Sequence, residues 1–247
     1  MDRALANRAA LVTGGSRGIG AAIARRLARD GASVAITYNA SPEKAEQVVR
    51  EIEAGGGRAL AIHADSGDPE AVRAAVVQTV KTFGGLDVLV NNAGVLLNGM
   101  VDKFSLADFD RIVAVNVRSV FAATQEASQH MQEGGRIINI GSMVADRSAF
   151  PGVAFYSMTK AAVAAMTRGF AIDLAPRGIT VNNLQPGPTE TDMNPANSEV
   201  ANVLKSMIPL RRYGTVDEIA SFVAYLAGPE SSFVTGASLT IDGGLTA

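Results

Sequence analysis

The chain has 247 residues, 47% of them hydrophobic and 19% charged, with a net charge of −2 and no cysteine. That is ample material for one α/β core; it excludes disulfides and thiolate metal sites, and without a basic block nucleic acid is not an expected partner. No apolar run approaches the ~18 residues of a membrane span, and the charged opening MDRALANR does not read as a signal peptide, so the expectation is a soluble cytoplasmic protein with no membrane partner.

Short apolar runs alternate with longer amphipathic ones, the pattern of βα units in a parallel sheet. The first predicted strand, Ala9–Val12, leads into TGGSRGIG at residues 13–20 and then a helix over Ile19–Arg29, with Ile19, Ile23 and Leu27 on one stripe. Two readings of that turn compete. Gly14-Gly15-Ser16-Arg17-Gly18 satisfies the G-x-S-x-G pattern of a hydrolase nucleophile elbow, which needs an acid and then a histidine downstream. Only His63 and His130 exist, and neither lies in the C-terminal loops where that histidine is normally supplied. The alternative is a phosphate turn: glycines at 14, 18 and 20 let backbone approach a pyrophosphate, and the helix N-terminus offers N–H groups and a positive dipole end. Ser16 is then a hydroxyl that bonds phosphate or orders the loop. The phosphate reading is preferred.

The second strand, Ser33–Thr37, ends in Tyr38-Asn39-Ala40-Ser41 with no carboxylate, where dinucleotide folds that select NAD place an acid on the ribose 2′-hydroxyl. A 2′-phosphate would meet neutral donors there and the Arg17 guanidinium, so NADP(H) is expected over NAD. Ser41-Pro42-Glu43 starts a helix that Gly55–Gly57 closes; the third strand, Ala59–Ala64, precedes a second start signal at Asp68-Pro69-Glu70. The fourth strand, Leu86–Val90, runs into Asn91-Asn92-Ala93-Gly94. From Ser105 to about Met131 the pattern stays helical, with Asn116 among valines, where it either bonds backbone or organises a site. The fifth strand, Arg136–Ile140, ends in Gly141-Ser142, and Ser142 is either a cap or a donor to a substrate oxygen.

A long helix over Phe155–Leu174 carries FYSMTKAA, which puts Tyr156 and Lys160 on one face. The functional reading of that pair is a phenol whose pKa, ordinarily near 10, is lowered by the neighbouring ammonium; a drop of about three units corresponds to roughly 4 kcal/mol. Beyond the sixth strand, Ile179–Leu184, an irregular stretch from Pro186 to about Gly214 is expected to be a functional lid loop, and Ser238–Ile241 is the last strand.

TGGSRGIG, Asn91-Asn92-Ala93-Gly94, Asn116, Ser142, YSMTK and Pro186-Gly187 resemble, in order and spacing, the short-chain dehydrogenase/reductase family over essentially the whole chain. The nearest resemblance is to bacterial 3-oxoacyl-carrier-protein-reductase-like members. It implies a single domain: a doubly wound, Rossmann-like α/β fold of seven parallel strands with helices on both faces. It also implies oxidoreductase chemistry between NADP(H) and a ketone, aldehyde or 3-oxoacyl substrate. Tyr156 would be general acid toward a carbonyl or base toward an alcohol, Lys160 would bind ribose hydroxyls and lower the Tyr156 pKa, Ser142 would orient the substrate oxygen, and Asn116 would help hold a relay water. The cofactor would lie along Gly14, Ser16, Arg17, Gly18, Ile19 and Gly20; Tyr38, Asn39 and Ser41; Asp65 and Ser66 by the adenine; Asn92, Ala93 and Gly94 by the ribose; and Pro186, Gly187, Thr189 and Thr191. A homotetramer is implied too, in keeping with two long apolar helices.

Family members that take acyl carrier protein present basic residues near the site. Arg177 matches one such position, but Met131-Gln132-Glu133 puts an acid where the other is expected, so a carrier-protein partner is doubtful. A second reading comes from QPGPTETDMNP, which resembles a subgroup including biofilm-dispersal proteins described as cyclic-dinucleotide binders: a cofactor- or cyclic-dinucleotide-binding regulator on the same fold.

Overall fold

The structure, a computed structural model, describes residues 3–148, 150–192 and 194–247; Met193, inside the expected lid, lies outside the described residues. All seven expected strands form: β1 (Ala9–Val12), β2 (Ser33–Tyr38), β3 (Arg58–His63), β4 (Val88–Asn91), β5 (Arg136–Ile140), β6 (Thr180–Pro186) and β7 (Ser238–Ile241). They pair in parallel in the order β3-β2-β1-β4-β5-β6-β7. The helices are α1 (Gly18–Arg29), α2 (Pro42–Ala54), α3 (Pro69–Phe83), α4 (Leu106–Val113), α5 (Ser119–His130), α6 (Ala154–Leu174), α7 (Glu199–Met207) and α8 (Val216–Ala227).

Apolar strands are buried on both faces because helices cover both. On one side Val12, Ile36 and Val90 pack with Ile23 and Leu27 of α1 and Val223 of α8. On the other, Leu11, Leu89 and Ile137 pack with Val76 of α3 and Ala123 of α5. Each fully buried aliphatic side chain of this kind contributes about 1.5–3 kcal/mol. Chain order reverses direction between β1 and β4, so the crevice at their C-terminal ends is the topological switch point, where ligands bind in open α/β sheets.

Three expectations are corrected. The fourth strand begins at Val88 rather than Leu86, because the Asp87 carboxylate turns aside to accept from Ala9 N at 2.7 Å and from Arg8 at 2.6 Å. The sixth runs on to Pro186, paired with Ile241, so the irregular stretch starts one residue later than expected. That stretch is also not all loop. Ser198 caps α7 by accepting from Ala201 N at 3.1 Å, and Ala201, Ile208 and Tyr213 make a small core of their own with Leu204 and Leu245.

Candidate active site

The turn after β1 is shaped by hydroxyls that the glycine pattern does not reveal. Thr13 Oγ1 accepts from the N–H groups of Asn92 and Ala93, both at 3.0 Å, and Thr37 Oγ1 accepts from Gly14 N at 2.9 Å. Asn92 Nδ2 donates to the carbonyls of Thr13 at 2.9 Å and Gly14 at 3.0 Å, locking the turn to the end of β4. Gly14 has φ +65°, and a Cβ there would stand 3.0 Å from Ala93 Cα; a Cβ at Gly20 would come within 2.4 Å of Asn92 Nδ2. The glycines therefore allow two backbones to close on each other as well as opening a space for a ligand. α1 then begins at Gly18 with no side-chain cap on its N-terminal N–H groups, a donor set suited to a pyrophosphate. The turn therefore fits a dinucleotide.

Neither histidine supports the nucleophile elbow. His63 sits at the end of β3 with its ring edge-on to Tyr38, centroids 5.5 Å apart, and His130 pairs with Glu126 at 3.1 Å on α5. Ser16 lies in the turn between β1 and α1.

Asn116 bonds backbone, the first of its two readings, and adds one side-chain partner. Residues 114–118 widen into a π-turn between α4 and α5, a distortion found often at functional sites. The turn carries the Asn116 side chain inward, where only 1% of the residue is exposed. Its Oδ1 accepts from Val95 N at 2.8 Å, and its Nδ2 donates to Val95 O at 2.9 Å and to Thr159 Oγ1 at 3.1 Å. Thr159 in turn donates to Tyr156 O at 2.7 Å. One chain of bonds thus runs from the loop after β4, through Asn116, to the helix bearing Tyr156.

The expected Tyr156–Lys160 pair forms on α6 at the C-terminal edge of β5. Lys160 is buried, donates to Ile140 O at 2.8 Å and lies 5.6 Å from the centre of the Tyr156 ring. Burial pulls its pKa down to about 8. The expected lowering of the Tyr156 pKa is not what this geometry produces. Tyr156 is half-buried; burial pushes its pKa up to about 12, and the hydrogen bond with Ser142 opposes this. The ammonium is committed to a carbonyl and stands over the ring, so desolvation wins. Tyr156 is a protonated acid at neutral pH in this state. Ser142 acts as a cap, its hydroxyl accepting from Val144 N at 3.4 Å, and it also hydrogen-bonds the Tyr156 phenol.

The remaining expected residues line the same edge. A Cβ on Gly94 would stand 3.4 Å from Asn116 Oδ1 and 3.7 Å from Lys160 Nζ, so Ala93-Gly94 forms the floor between cofactor turn and acid. Tyr38 ends β2, and Asn39 and Ser41 follow it; Asn39 is exposed, and Ser41 holds the N-cap position of α2 without a side-chain cap bond. Asp65 and Ser66 follow β3, with Asp65 Oδ1 accepting from Gly67 N at 2.8 Å. Pro186, the last residue of β6, and Thr189 beyond it are buried; Gly187 faces Asp242, whose Cβ would be 2.6 Å from a Cβ there, and Thr189 Oγ1 donates to Gly187 O at 3.0 Å. Thr191 reaches back over the phosphate turn, 3.5 Å from where a Gly18 Cβ would be. Ile19 packs against the core at the start of α1, and Arg17 is exposed just before it. Thr13, Thr37 and Thr159 are not singled out by the sequence reading, although Thr13 opens TGGSRGIG and Thr159 lies inside FYSMTKAA.

Residues 14–246 match the family model described as enoyl-(acyl carrier protein) reductase. The cyclic-di-GMP-binding biofilm dispersal mediator protein of Escherichia coli is 45% identical, covering 97% of this chain and 98% of its own length. Among solved structures, a Serratia marcescens short-chain dehydrogenase/reductase superposes with TM-score 0.97 at 56% identity, covering 98% of this chain and 99% of the other. A Burkholderia cenocepacia short-chain dehydrogenase in complex with NADP does so with TM-score 0.97 at 53% identity and the same coverage. With the switch-point turn, the Ser142, Tyr156 and Lys160 cluster and these matches together, the chain belongs to the short-chain dehydrogenase/reductase family.

Proposed function

We propose that this oxidoreductase reduces a carbonyl, or oxidises the corresponding alcohol, with NADP(H), using Tyr156 as the proton donor. The observation that carries the reading is the Tyr156 ring set beside Lys160 on α6, across the Gly94 floor from the turn after β1. The nicotinamide cofactor, when bound, supplies the hydride. The chain supplies orientation and a proton. Gly14, Ser16, Gly18, Ile19 and Gly20 would cradle the pyrophosphate; Asn92, Ala93 and Gly94 would border the ribose; Asp65 and Ser66 would flank the adenine; Pro186, Gly187, Thr189 and Thr191 would close over the nicotinamide side. Arg17, Tyr38, Asn39 and Ser41 would receive the 2′-phosphate, in line with the NADP complex of the Burkholderia relative. Ser142 would hold the substrate oxygen against the phenol, and Lys160 would bind ribose hydroxyls and place a positive charge beside the proton-transfer step. Asn116 spends its side chain on Val95 and Thr159, so its contribution to a proton relay is to position that loop and helix.

Substrate class is read from the surroundings. Arg177 donates to Met131 O at 2.7 Å, and Glu133 lies beside Gly178 next to it, which disfavours an acidic carrier-protein helix and favours a free ketone, aldehyde or small 3-oxoacyl compound. The stretch after Pro186, helix α7 included, is the proposed lid, ordering over cofactor and substrate. A homotetramer is supported by Phe121 on α5 and Ile172 on α6, which are exposed apolar side chains on the two long helices.

The regulator reading is favoured by one finding, the similarity to the Escherichia coli biofilm dispersal mediator. The test is NADPH oxidation with a panel of carbonyl compounds. Turnover with any of them is expected; binding of NADPH with no turnover across the panel favours the regulator. The ionisation states add a pH signature. Tyr156 stays protonated throughout, while Lys160 loses its charge around pH 8. The reduction kcat/KM, which reports the free enzyme, is therefore expected to be flat below about pH 7.5 and to fall above about pH 8. A profile rising through pH 8 counts against a charged Lys160 in the reaction.

A further inference from the structure

One ion pair joins the lid to the far wall of the cofactor groove. Lys44 Nζ and Asp192 Oδ2 are 2.8 Å apart across 148 residues of chain. Lys44 is the third residue of α2, next to the Tyr38-to-Ser41 segment that closes β2. Asp192 stands in a tight turn pinned by reciprocal backbone bonds between Thr191 and Asn194, by Asn194 Nδ2 donating to Thr189 O at 3.2 Å, and by Glu190 N donating to Gly214 O at 2.9 Å. The same turn lays Thr191 over Gly18 of the phosphate turn.

The pair is not built for stability. The Lys44 and Asp192 side chains are 50% and 64% exposed, and ion pairs so open to water contribute little. Its place is informative instead. Lys44, and behind it the charge of Arg17, hold the Asp192 carboxyl below the usual carboxylate range. The Lys44 ammonium thus holds the carboxylate directly and the Arg17 charge adds a weaker pull, beside the strand end where a 2′-phosphate is expected.

Resting on the NADP(H) reading above, we propose that Asp192 occupies, from the lid, the anion position that Lys44 and Arg17 offer to the 2′-phosphate. Lys44 is then a second phosphate-reading residue, and the Lys44–Asp192 pair is a latch that NADP exchanges and NAD leaves closed. A phosphate monoester carries up to two negative charges near neutral pH and presents three acceptor oxygens, so it displaces a single carboxylate from two cations. Asp192 must then leave, as a like charge beside the phosphate, and the tip of the lid is released from α2. Occupancy of the 2′ position is in this way transmitted to the segment that covers the substrate.

The test is fluorescence titration of NADPH and NADH against wild type, Lys44→Met, Asp192→Asn and the double variant. Lys44→Met is expected to weaken NADPH about tenfold, the loss of one charge-assisted hydrogen bond at an exposed site, and to change NADH less than twofold. Asp192→Asn, by removing the competitor, is expected to tighten NADPH severalfold and leave NADH unchanged. In the Lys44→Met background that gain should shrink to less than twofold. If Asp192→Asn weakens both nucleotides by one factor, or leaves both unchanged, or if Lys44→Met spares NADPH, the latch is wrong. Wild type that binds NADPH no tighter than NADH overturns the NADP(H) reading itself, so the two failures are told apart.

Discussion

Tyr156→Phe is expected to lower the turnover number for carbonyl reduction by at least about 10²- to 10⁴-fold, the usual contribution of a positioned general acid, while changing NADPH affinity less than about twofold. The substitution removes one oxygen and keeps the ring that packs beneath Lys160. The phenol is the group that burial keeps protonated, so it is the proton source that the site has in place at neutral pH. Lys160 cannot take over easily: its ammonium donates to Ile140 O, and the residue is buried. Ser142 retains its bond to Val144 N and can still hold a substrate oxygen, but its hydroxyl has no base or acid behind it once the phenol is gone. Turnover at saturating NADPH and a separate titration of cofactor binding decide the matter. A variant that keeps more than about a tenth of wild-type turnover removes Tyr156 from the acid's role.

Most of this site was legible before any coordinates because its chemistry is local. An apolar run, a glycine turn and an apolar helix in succession specify strand, phosphate turn and α1, and the spacing of Tyr156 and Lys160 puts them on one helical face whatever surrounds them. What was not legible depends on distant partners. The direction of the Tyr156 pKa follows from enclosure and from Lys160 choosing Ile140 O, neither of which is a matter of spacing. The ambiguity of Asn116 is resolved only by a π-turn that aims it at Val95, 21 residues earlier. The hydroxyls of Thr13 and Thr37 set the turn by reaching across strands, to Asn92 and Gly14. Helix α7 did carry a local signal in Ser198, which caps it, but the surrounding prolines, asparagines and serines hid it among loop residues.

Arg17→Ala is expected to weaken NADPH by roughly 10- to 150-fold and NADH hardly at all, since a charge-assisted hydrogen bond contributes about 1.5–3 kcal/mol and NADH has no phosphate to lose. Arg17 is exposed and extended at φ −158°, immediately before α1, and its charge helps to hold the Asp192 carboxyl below the usual carboxylate range. A guanidinium suits a phosphate by charge and by shape. The lower part of the range is the more natural expectation if Lys44 shares the load, because each cation then retains part of the attraction when the other is removed. The complementary change Asn39→Asp places a carboxylate at the end of β2, where it repels the phosphate and offers an acceptor to a 2′-hydroxyl, so preference should move toward NADH. Dissociation constants of both nucleotides for wild type, Arg17→Ala and Asn39→Asp make the comparison complete. If Arg17→Ala weakens the two nucleotides by the same factor, the arginine serves the pyrophosphate or the turn, and selection of NADP must come from Tyr38, Asn39, Ser41 and Lys44 alone.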